Sequence, residues 1–350
     1  MSTPTPSPDA APALRARFAA AKAETPKART RELAQQLGVS EAELVAAGCL
    51  GEVRPLAPEW GEIVKGLPDL GSVLSLTRNE ACVHEKVGQY DRVSVFGSMG
   101  LVLDPNIDLR IFFNHWHFGY ALTEETAQGR RRSLQFFDLD GTAVQKIYLR
   151  AESDLEAFER LCRRFAAPGR AMPSVGAGVR PLSERPDETI DRAGLRSRWE
   201  ALQDVHDFHA MLTELGCGRT QAFRLVGRDF ARPLGNDRLQ AALEGAAETG
   251  QEVMVFVGSP GVIQIHTGRV ETIKRLGLWF NVLDPGFNLH LREDLIAETW
   301  LVVKPTREGE ITSIEAFDAE GRQIAWVFGK RERGQPESRS WRELAGEVAR

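Results

Sequence analysis

The chain has 350 residues, 42% of them apolar and 27% charged, which is the composition of a globular protein large enough for two domains. A net charge of -5 at pH 7 argues against general nucleic-acid binding, because that function needs a strongly positive surface. No run approaches the roughly 18 consecutive apolar residues of a membrane span, so we expect no membrane insertion.

Residues 1–27 are rich in Ala, Pro, Ser and Thr, and this composition predicts a disordered tail. The tail lacks the apolar core of a secretory signal, which is about 7 to 15 residues long. The four cysteines lie far apart and form no C-x-x-C pair, which suits a reducing cytosol and gives no disulfide framework, zinc site or iron–sulfur site. We therefore expect a cytoplasmic protein.

A helical segment follows the tail. Residues 30–48 have helical spacing, with a turn at Gly38 and a second helix that Ser40 and Glu43 begin as a capping box. A further short helix is predicted from Trp60 to Val64.

Between Gly71 and Arg150 the periodicity changes to short β-branched or aromatic segments, separated by Gly, Asp, Asn or Pro. Because no helices alternate with them, the predicted sheet is antiparallel. A helix from Ser153 to Phe165 and a Pro/Gly-rich linker over residues 166–190 then end the first half. Examples of these segments are 72–76, 82–87, 91–96, 107–113, 133–138 and 143–148.

The second half of the chain repeats the first. Residues 103–105 (LDP) match 283–285, and the whole strand-rich block keeps this register, which we call the strand register, without a gap. The helical segments match in a slightly different register, the helix register, in which residues 54–56 (RPL) meet 232–234. The sequence therefore predicts an α+β fold made by tandem duplication, in which helices precede an antiparallel sheet in each copy.

A helix is also predicted for the stretch that begins at Asp191, where apolar residues recur at three- and four-residue steps. Asp191 is a suitable N-cap and Gly216 a suitable stop. On such a helix His206 shares a side with Trp199 at the edge of the apolar arc, and His209 lies inside that arc.

The two copies differ at positions that carry chemistry. In the helix register His206 and His209 correspond to Ala28 and Arg31, so this pair of histidines occurs in the second copy only. We therefore expect one working site rather than two. Further differences, in the strand register, are Arg110 against His290, Tyr148 against Phe328, and Glu124 against Lys304.

Two interpretations of these histidines stay open. Each is either a structural residue whose ring nitrogens have hydrogen-bond partners, or a ligand directed into an apolar pocket. In such a pocket a neutral imidazole suits an iron porphyrin. The i, i+3 spacing of His206 and His209 argues against zinc, because zinc helices more often use i, i+4 and no third ligand is apparent. His115 and His117 alternate along a predicted strand, so a solvated face or a metal site fits them.

A porphyrin pocket needs cations for the two propionates. Arg219 opens a predicted helix, Lys304 ends a predicted strand, and Arg331 ends the last predicted strand. Each alone is typical of a solvent-facing charge, so the set has meaning only if the fold brings its members together. Hydrolase and nucleotide-binding patterns such as G-x-S-x-G, H-E-x-x-H, Walker A and G-x-G-x-x-G are not found.

Seven segments resemble the haemin-degrading factor family of bacterial haem-utilisation proteins, and the similarity extends from about residue 28 to residue 331. The resemblance implies two stacked antiparallel sheets with helices between them, and one haem held in a cleft. The segments are 79–88 (NEACVHEKVG), 107–112 (IDLRIF), 133–138 (SLQFFD), 204–206 (DVH), 219–223 (RTQAF), 253–258 (VMVFVG) and 300–306 (WLVVKPT).

The same resemblance implies a role for each matching residue. His206 would be the axial ligand of the haem iron, His209 an alternative ligand, and Arg110 the residue on the distal side. The propionates would meet Arg219, Lys304 and Arg331, and the macrocycle would pack on Phe112 and Phe256. The chain departs from the family at Phe328 and Trp326, which replace a tyrosine and a glutamine and so remove two polar contacts.

The implied function is that of a cytoplasmic haem-binding protein in a haem-uptake system. Such a protein would accept haem from an inner-membrane ABC transporter, and would either pass it to a haem oxygenase or open the ring itself with O₂ and a reductant. A haem-storage or regulatory protein, and a structural duplication without ligand, are the remaining alternatives. The predicted domains are a first repeat (28–165), a linker (166–190), a second repeat with the axial histidine (191–332) and a C-terminal helix (333–350).

Overall fold

A computed structural model describes residues 10–167, 172–178, 184–332 and 334–350. These residues form ten α-helices and eighteen β-strands. The helices are α1 (Ala10–Glu24), α2 (Thr30–Leu37), α3 (Glu41–Ala46), α4 (Trp60–Lys65), α5 (Leu155–Arg164), α6 (Arg192–Glu200), α7 (Asp207–Leu215), α8 (Arg219–Val226), α9 (Arg238–Thr249) and α10 (Arg339–Val348).

The strands form two antiparallel sheets of nine strands each in the described residues. In the first half they are β1 (Glu52–Pro55), β2 (Val73–Arg78), β3 (Cys82–Gly88), β4 (Val93–Phe96), β5 (Met99–Leu103), β6 (Asp108–Phe112), β7 (Phe118–Thr126), β8 (Gly129–Phe137) and β9 (Ala143–Leu149). In the second half they are β10 (Ala231–Leu234), β11 (Val253–Ser259), β12 (Val262–Gly268), β13 (Ile273–Leu276), β14 (Trp279–Asp284), β15 (Phe287–Arg292), β16 (Glu298–Thr306), β17 (Gly309–Phe317) and β18 (Gln323–Gly329).

The bounds of the elements confirm the predicted duplication. Strands β7 and β16 begin and end at matching positions of the strand register, and so do β8 and β17, and β9 and β18. The strand order β1-β7-β8-β9-β2 in the first half recurs as β10-β16-β17-β18-β11 in the second. The fold is therefore a duplicated α+β unit with antiparallel sheets, as the sequence predicts.

Two compact units divide the described residues of the chain. The first takes its residues from Met1–Arg78, Glu85–Val179 and Ser259–Gln264, and the second from Asn79–His84, Arg180–Gly258 and Ile265–Arg350. Each unit therefore contains a short segment from the other half of the sequence. In the described residues no helix has both the length and the apolarity that a membrane crossing requires.

The prediction of disorder for residues 1–27 is wrong over Ala10–Glu24, which form helix α1. Alanine favours helix, and the apolar residues Leu14, Phe18 and Ala21 recur on one side of the helix. They pack against Leu33 and other residues of α2 and α3, and this burial stabilises the helix where composition alone indicates a tail. Residues 1–9 of the predicted tail lie outside the described residues, as do 168–171 and 179–183 of the predicted linker.

The predicted strand that carries His115 and His117 is not formed. Residues Phe113–His115 are a 3-10 helix, and β7 begins only at Phe118. The indole of Trp116 is buried 4.4 Å from the ring of Phe136, centroid to centroid, and its Nε1 donates to the carbonyl of Gly261 at 3.2 Å. These contacts bend the chain here, so the alternation of the two histidines does not place them on a sheet face.

The second-unit sheet β10-β16-β17-β18-β11 has a different layer on each face. One face packs on α9 and α10, through residues such as Val255, Ile314 and Val327. The opposite face packs at one end on α6, α7 and α8, where Trp300 and Phe317 meet Phe223. Because side chains alternate between faces along a strand, the residues next to Ile314 and Val327 all lie on this second face.

Candidate functional site

Two short helices, rather than one long helix, carry the segment around His206. Helix α6 ends at Glu200, and α7 begins after a turn in which the Asp204 carboxylate accepts a hydrogen bond from the backbone N–H of His206 at 2.9 Å. A side-chain acceptor of this kind competes with helical bonding. The predicted cap and stop are confirmed, since Asp191 caps α6 and Gly216 ends α7 in the left-handed region.

The break changes the environment of His206. Its side chain is 81% exposed at the start of α7. The prediction that His206 shares a helix face with Trp199 is therefore wrong, because the two residues lie on either side of the turn between α6 and α7. The Nδ1 atom lies 2.6 Å from Oδ1 of Asp204. The pKa of Asp204 is lowered, chiefly by the hydrogen bond from the His206 backbone, so the carboxylate is an acceptor and Nδ1 the donor. In the neutral imidazole with this tautomer, the Nε2 atom keeps the lone pair that a metal ion needs.

His209 lies one turn further along α7 and is exposed. The prediction that it lies inside the apolar arc is wrong, because Phe208, Met211 and Leu212 form the buried side of this shorter helix. The two histidines are thus both accessible at the N-terminal end of α7.

Arg219 and Lys304 are brought together, as the predicted cation set requires, but their common partner is the buried carboxylate of Glu315. Arg219 donates from Nε and Nη2 to Glu315 at 2.9 and 3.1 Å, and the Lys304 Nζ donates at 3.0 Å. Glu315 has no exposed surface, and its carboxylate also accepts bonds from Ser313 and Gln323 at 2.8 and 3.0 Å.

Arg219, Lys304 and Glu315 form what we call the charge cluster, in which burial and neighbouring charges shift the pKa values of Glu315 and Lys304. Burial raises the pKa of Glu315, but Arg219 and Lys304 outweigh burial and bring that pKa to about 2. Burial lowers the pKa of Lys304 to about 8, although Glu315 opposes the change. At neutral pH the three side chains therefore carry two positive charges and one negative charge.

Both cations of the cluster lie against the ring of Phe208, the second residue of α7. The guanidinium carbon of Arg219 is 5.1 Å from the ring centroid, and the Nζ of Lys304 is 4.7 Å from it. Cations are attracted to the faces of aromatic rings at this range. The charge cluster therefore contacts the helix that His206 precedes.

Aromatic residues continue from the charge cluster across the same sheet face, and we call them the aromatic strip: Trp300, Trp326, Phe256 and Phe328. Trp300, Glu315, Trp326 and Phe256 are successive cross-strand partners on β16, β17, β18 and β11, so they share this face. The Phe256 ring stacks on Trp326 at 5.4 Å and meets Phe328 edge to face at 5.2 Å. These three rings are half-buried, which leaves part of each accessible to a ligand.

Arg331 follows β18 and is half-buried. Its positive charge contributes to the lowered pKa of Asp204, which places Arg331 near the carboxylate that bonds His206. The second unit thus holds most of the predicted site residues: His206, His209, Arg219, Lys304, Phe256, Phe328 and Arg331.

Arg110 and Phe112 belong to the first unit, on β6. The Arg110 guanidinium is paired with Asp108 and donates to the carbonyl of Leu109 at 3.3 Å. Asp108, Arg110 and Phe112 are half-buried on one face of the strand, while Leu109 and Ile111 are buried on the other. Their roles at a haem remain predictions.

The second-unit residues fit a porphyrin better than a bare metal ion. No group of three or more His, Cys, Asp or Glu side chains that could hold an ion occurs in the described ranges. A porphyrin needs only one or two protein ligands, an apolar surface for its ring and cations for its propionates. His206 offers the ligand, the aromatic strip offers the apolar surface, and Arg219 and Lys304 offer the cations.

The first unit differs from the second at the positions of the charge cluster. The counterparts of Arg219 and Lys304 are Glu41 and Glu124, and the counterpart of Glu315 is Gln135. The cations of the second unit are thus replaced by acids in the first. There the Glu41 carboxylate accepts a bond from Lys146 Nζ at 2.9 Å instead.

Glu315 and Asp204 are the two site residues that sequence reasoning missed. Glu315 is 96 residues from Arg219 in the chain, so their contact leaves no local pattern. The comparison of the repeats held a signal, because Glu315 meets Gln135 in the same strand register that sets Lys304 against Glu124.

Comparisons with known proteins show the family to which the chain belongs. The family model of the haemin-degrading HemS.ChuX domain matches residues 38–165 and again 216–348. The hemin transport protein HmuS of Yersinia pestis is 40% identical over 329 residues, which cover 93% of this chain and 94% of that protein.

Two solved structures are also similar along nearly their whole length. The heme-binding protein holo-PhuS of Pseudomonas aeruginosa superposes with a TM-score of 0.93 at 46% identity, covering 96% of this chain and 98% of that one. The heme-degrading enzyme ChuS of Escherichia coli O157:H7 has a TM-score of 0.91 at 35% identity, covering 97% and 100%. The chain belongs to the haemin-utilisation family defined by the HemS.ChuX domain.

Proposed function

We propose that this chain is a cytoplasmic protein that binds one haem in its second unit, with His206 as the axial ligand of the iron. Two observations carry the proposal. His206 is exposed at the start of α7, whose residue Phe208 contacts the cations Arg219 and Lys304. The aromatic strip lies on the same sheet face as Lys304. The carboxylate of Asp204 at Nδ1 supports this role, since second-shell acceptors orient metal-binding histidines. The four cysteines are all free, which suits the cytoplasm.

The remaining residues take the roles that the resemblance implies. Arg219, Lys304 and Arg331 hold the propionates, and Phe256 packs on the macrocycle. Phe328, which stands in place of the family's tyrosine, contacts Phe256 and adds to this apolar surface. By the same resemblance, Phe112 would also pack on the macrocycle and Arg110 would be the residue on the distal side. His209, one turn from His206, is the alternative ligand.

The chain either hands its haem on or degrades it. Carriage is supported by the similarity to HmuS, a hemin transport protein, with an inner-membrane haem ABC transporter as donor and a haem oxygenase as acceptor. Degradation is supported by the similarity to ChuS, a heme-degrading enzyme, and would release iron and a bilin in the presence of O₂ and a reductant. Arg110 would supply a positive charge on the distal side of the haem.

The axial role is tested with His206→Ala and, as a matched control on the same helix, His209→Ala. We expect His206→Ala to shift the Soret band of the ferric complex and to speed haem loss to apomyoglobin by about tenfold or more, as the loss of one strong interaction implies. His209→Ala should keep the wild-type spectrum. An unchanged spectrum in His206→Ala would remove His206 as the resting ligand, and a shift in His209→Ala alone would assign the iron to His209.

A further inference from the structure

Glu315 is a fully buried carboxylate that the proposed roles leave unused. It accepts hydrogen bonds from four side chains: Arg219, Lys304, Ser313 and Gln323. A buried carboxylate is costly unless its oxygens are satisfied in this way. Four donors from α8, β16, β17 and β18 hold Glu315 in one position, so it in turn fixes the groups that contact it.

The bonds to Glu315 use only part of the donor capacity of the two cations. Arg219 bonds it through Nε and Nη2, and Lys304 bonds it through one of three N–H groups. The Nη1 group of Arg219 and two N–H groups of Lys304 are not engaged by Glu315. Glu315 thus orients both cations, and one positive charge of the cluster remains uncompensated.

Glu315 is also linked to helix α7, which His206 precedes, through the two cations that it holds. The cations that it holds lie against Phe208, which is two residues from His206. The other side of the contact is fixed as well, since Phe208 packs edge to face on Trp199 at 4.8 Å. Without the carboxylate, two cations of like charge would repel each other beneath Phe208.

We propose that Glu315 is a positioning residue of the haem site, which orients Arg219 and Lys304 for the propionates and, through Phe208, fixes the first turn of α7 beside His206. The inference rests on the proposed haem-binding function. It is supported by the first repeat, where the cations are replaced by Glu41 and Glu124 and the carboxylate by Gln135. At these equivalent positions, an acid on the β17 strand occurs only in the repeat that has the cations on α8 and β16.

The test is Glu315→Gln, which keeps the shape of the side chain and installs the residue of the first repeat. Glu41→Gln is the matched control, because it also breaks a buried ion pair to a lysine, but in the first unit. The readouts are the rate of haem transfer to apomyoglobin and the Fe–His stretching band of the ferrous complex.

We expect Glu315→Gln to raise the transfer rate about tenfold, the effect of losing one charge-assisted hydrogen bond, and to shift the Fe–His band. Glu41→Gln should lower the melting temperature and leave both readouts at wild-type values. Wild-type values of both readouts in Glu315→Gln would overturn the inference, as would equal changes in the control.

If Glu315→Gln does not fold, Phe208→Leu tests the same path, because it keeps all three charges and removes the ring between the cations and α7. A shifted Fe–His band supports the path, and an unshifted band overturns it. Failure of the proposed function itself is a separate result: the wild-type protein would then show no saturable haem binding at all.

Discussion

Lys304 is the residue whose ionisation should govern the pH dependence of haem binding. Burial lowers its pKa to about 8, and Arg219 nearby adds to this, while Glu315 opposes it. A propionate attracts only the protonated amine. The favourable interaction is therefore present below about pH 8 and is lost as the pH rises through that value.

We expect haem transfer from the wild-type protein to apomyoglobin to become faster between pH 7 and pH 9. Lys304→Arg should flatten this part of the profile, because a guanidinium stays charged throughout the range. Lys304→Met should lose haem quickly at every pH. Ionisations of haem or apomyoglobin are common to all three proteins, so a Lys304→Met profile with the wild-type slope would contradict the role of this amine.

For single residues, the sequence predicted which side chains belong to the candidate site but not which partners they contact. The resemblance selected His206, Arg219 and Lys304, and the structure places all three in one unit. Their partners Asp204 and Glu315 depend on a turn and on strand pairing, neither of which follows from helical periodicity. The exposure of His206 was missed for the same reason.

At the scale of elements, the connection between β18 and α10 contains a carboxyl group in an unfavourable position. Glu337 is 5% exposed, and its Oε1 accepts a bond from the backbone N–H of Thr312 at 2.8 Å. Its Oε2 is buried with no hydrogen-bond partner among the described residues. Burial raises the pKa of Glu337 to about 7.

Because this folded-state pKa lies above the value of about 4.5 in the unfolded chain, the folded state binds more protons between these values. The contribution of Glu337 to stability is therefore present at pH 4.5 and falls as the pH rises to 7. We expect the free energy of unfolding in urea to drop between pH 5 and pH 8 by up to roughly 3 kcal/mol from this group.

Glu337→Gln should remove that drop, while Glu343→Gln on the exposed side of α10 should retain it. Urea unfolding at pH 5 and pH 8 measures the difference for each protein. A wild-type pH dependence in Glu337→Gln would show that another group is responsible.

The elements themselves were predicted with unequal success. The capping box of Ser40 and Glu43 and the stop at Gly216 are confirmed, because such signals depend on local hydrogen bonds. Helix α1 was missed because its stability comes from burial against α2 and α3. Strands β5 and β7 lie inside the predicted strand-rich block but were not named individually, and each contains a glycine that weakens the local strand pattern.

At the scale of the whole molecule, duplication explains why one haem is expected in a chain with two similar halves. Both halves present the sheet face, but the cations Arg219 and Lys304 of the second are acids in the first. An anionic ligand is therefore attracted to the second copy, whereas in the first the acids are paired with Lys146 and Arg131 and no excess of positive charge remains at these positions. The constant strand register made the duplicated fold predictable, whereas the exchange of residues 79–84 and 259–264 between the units has no sequence signal.

The most direct measurement is a titration of the haem-free protein with haemin, followed by its Soret absorbance. We expect saturation at one haem per chain with a sharp band. Adding a reductant in air with catalase to the same sample then separates the two proposed fates: a bilin-like product indicates degradation, and a stable spectrum indicates carriage. Saturation at two haems per chain would contradict the single site, and the absence of saturable binding would contradict haem binding itself.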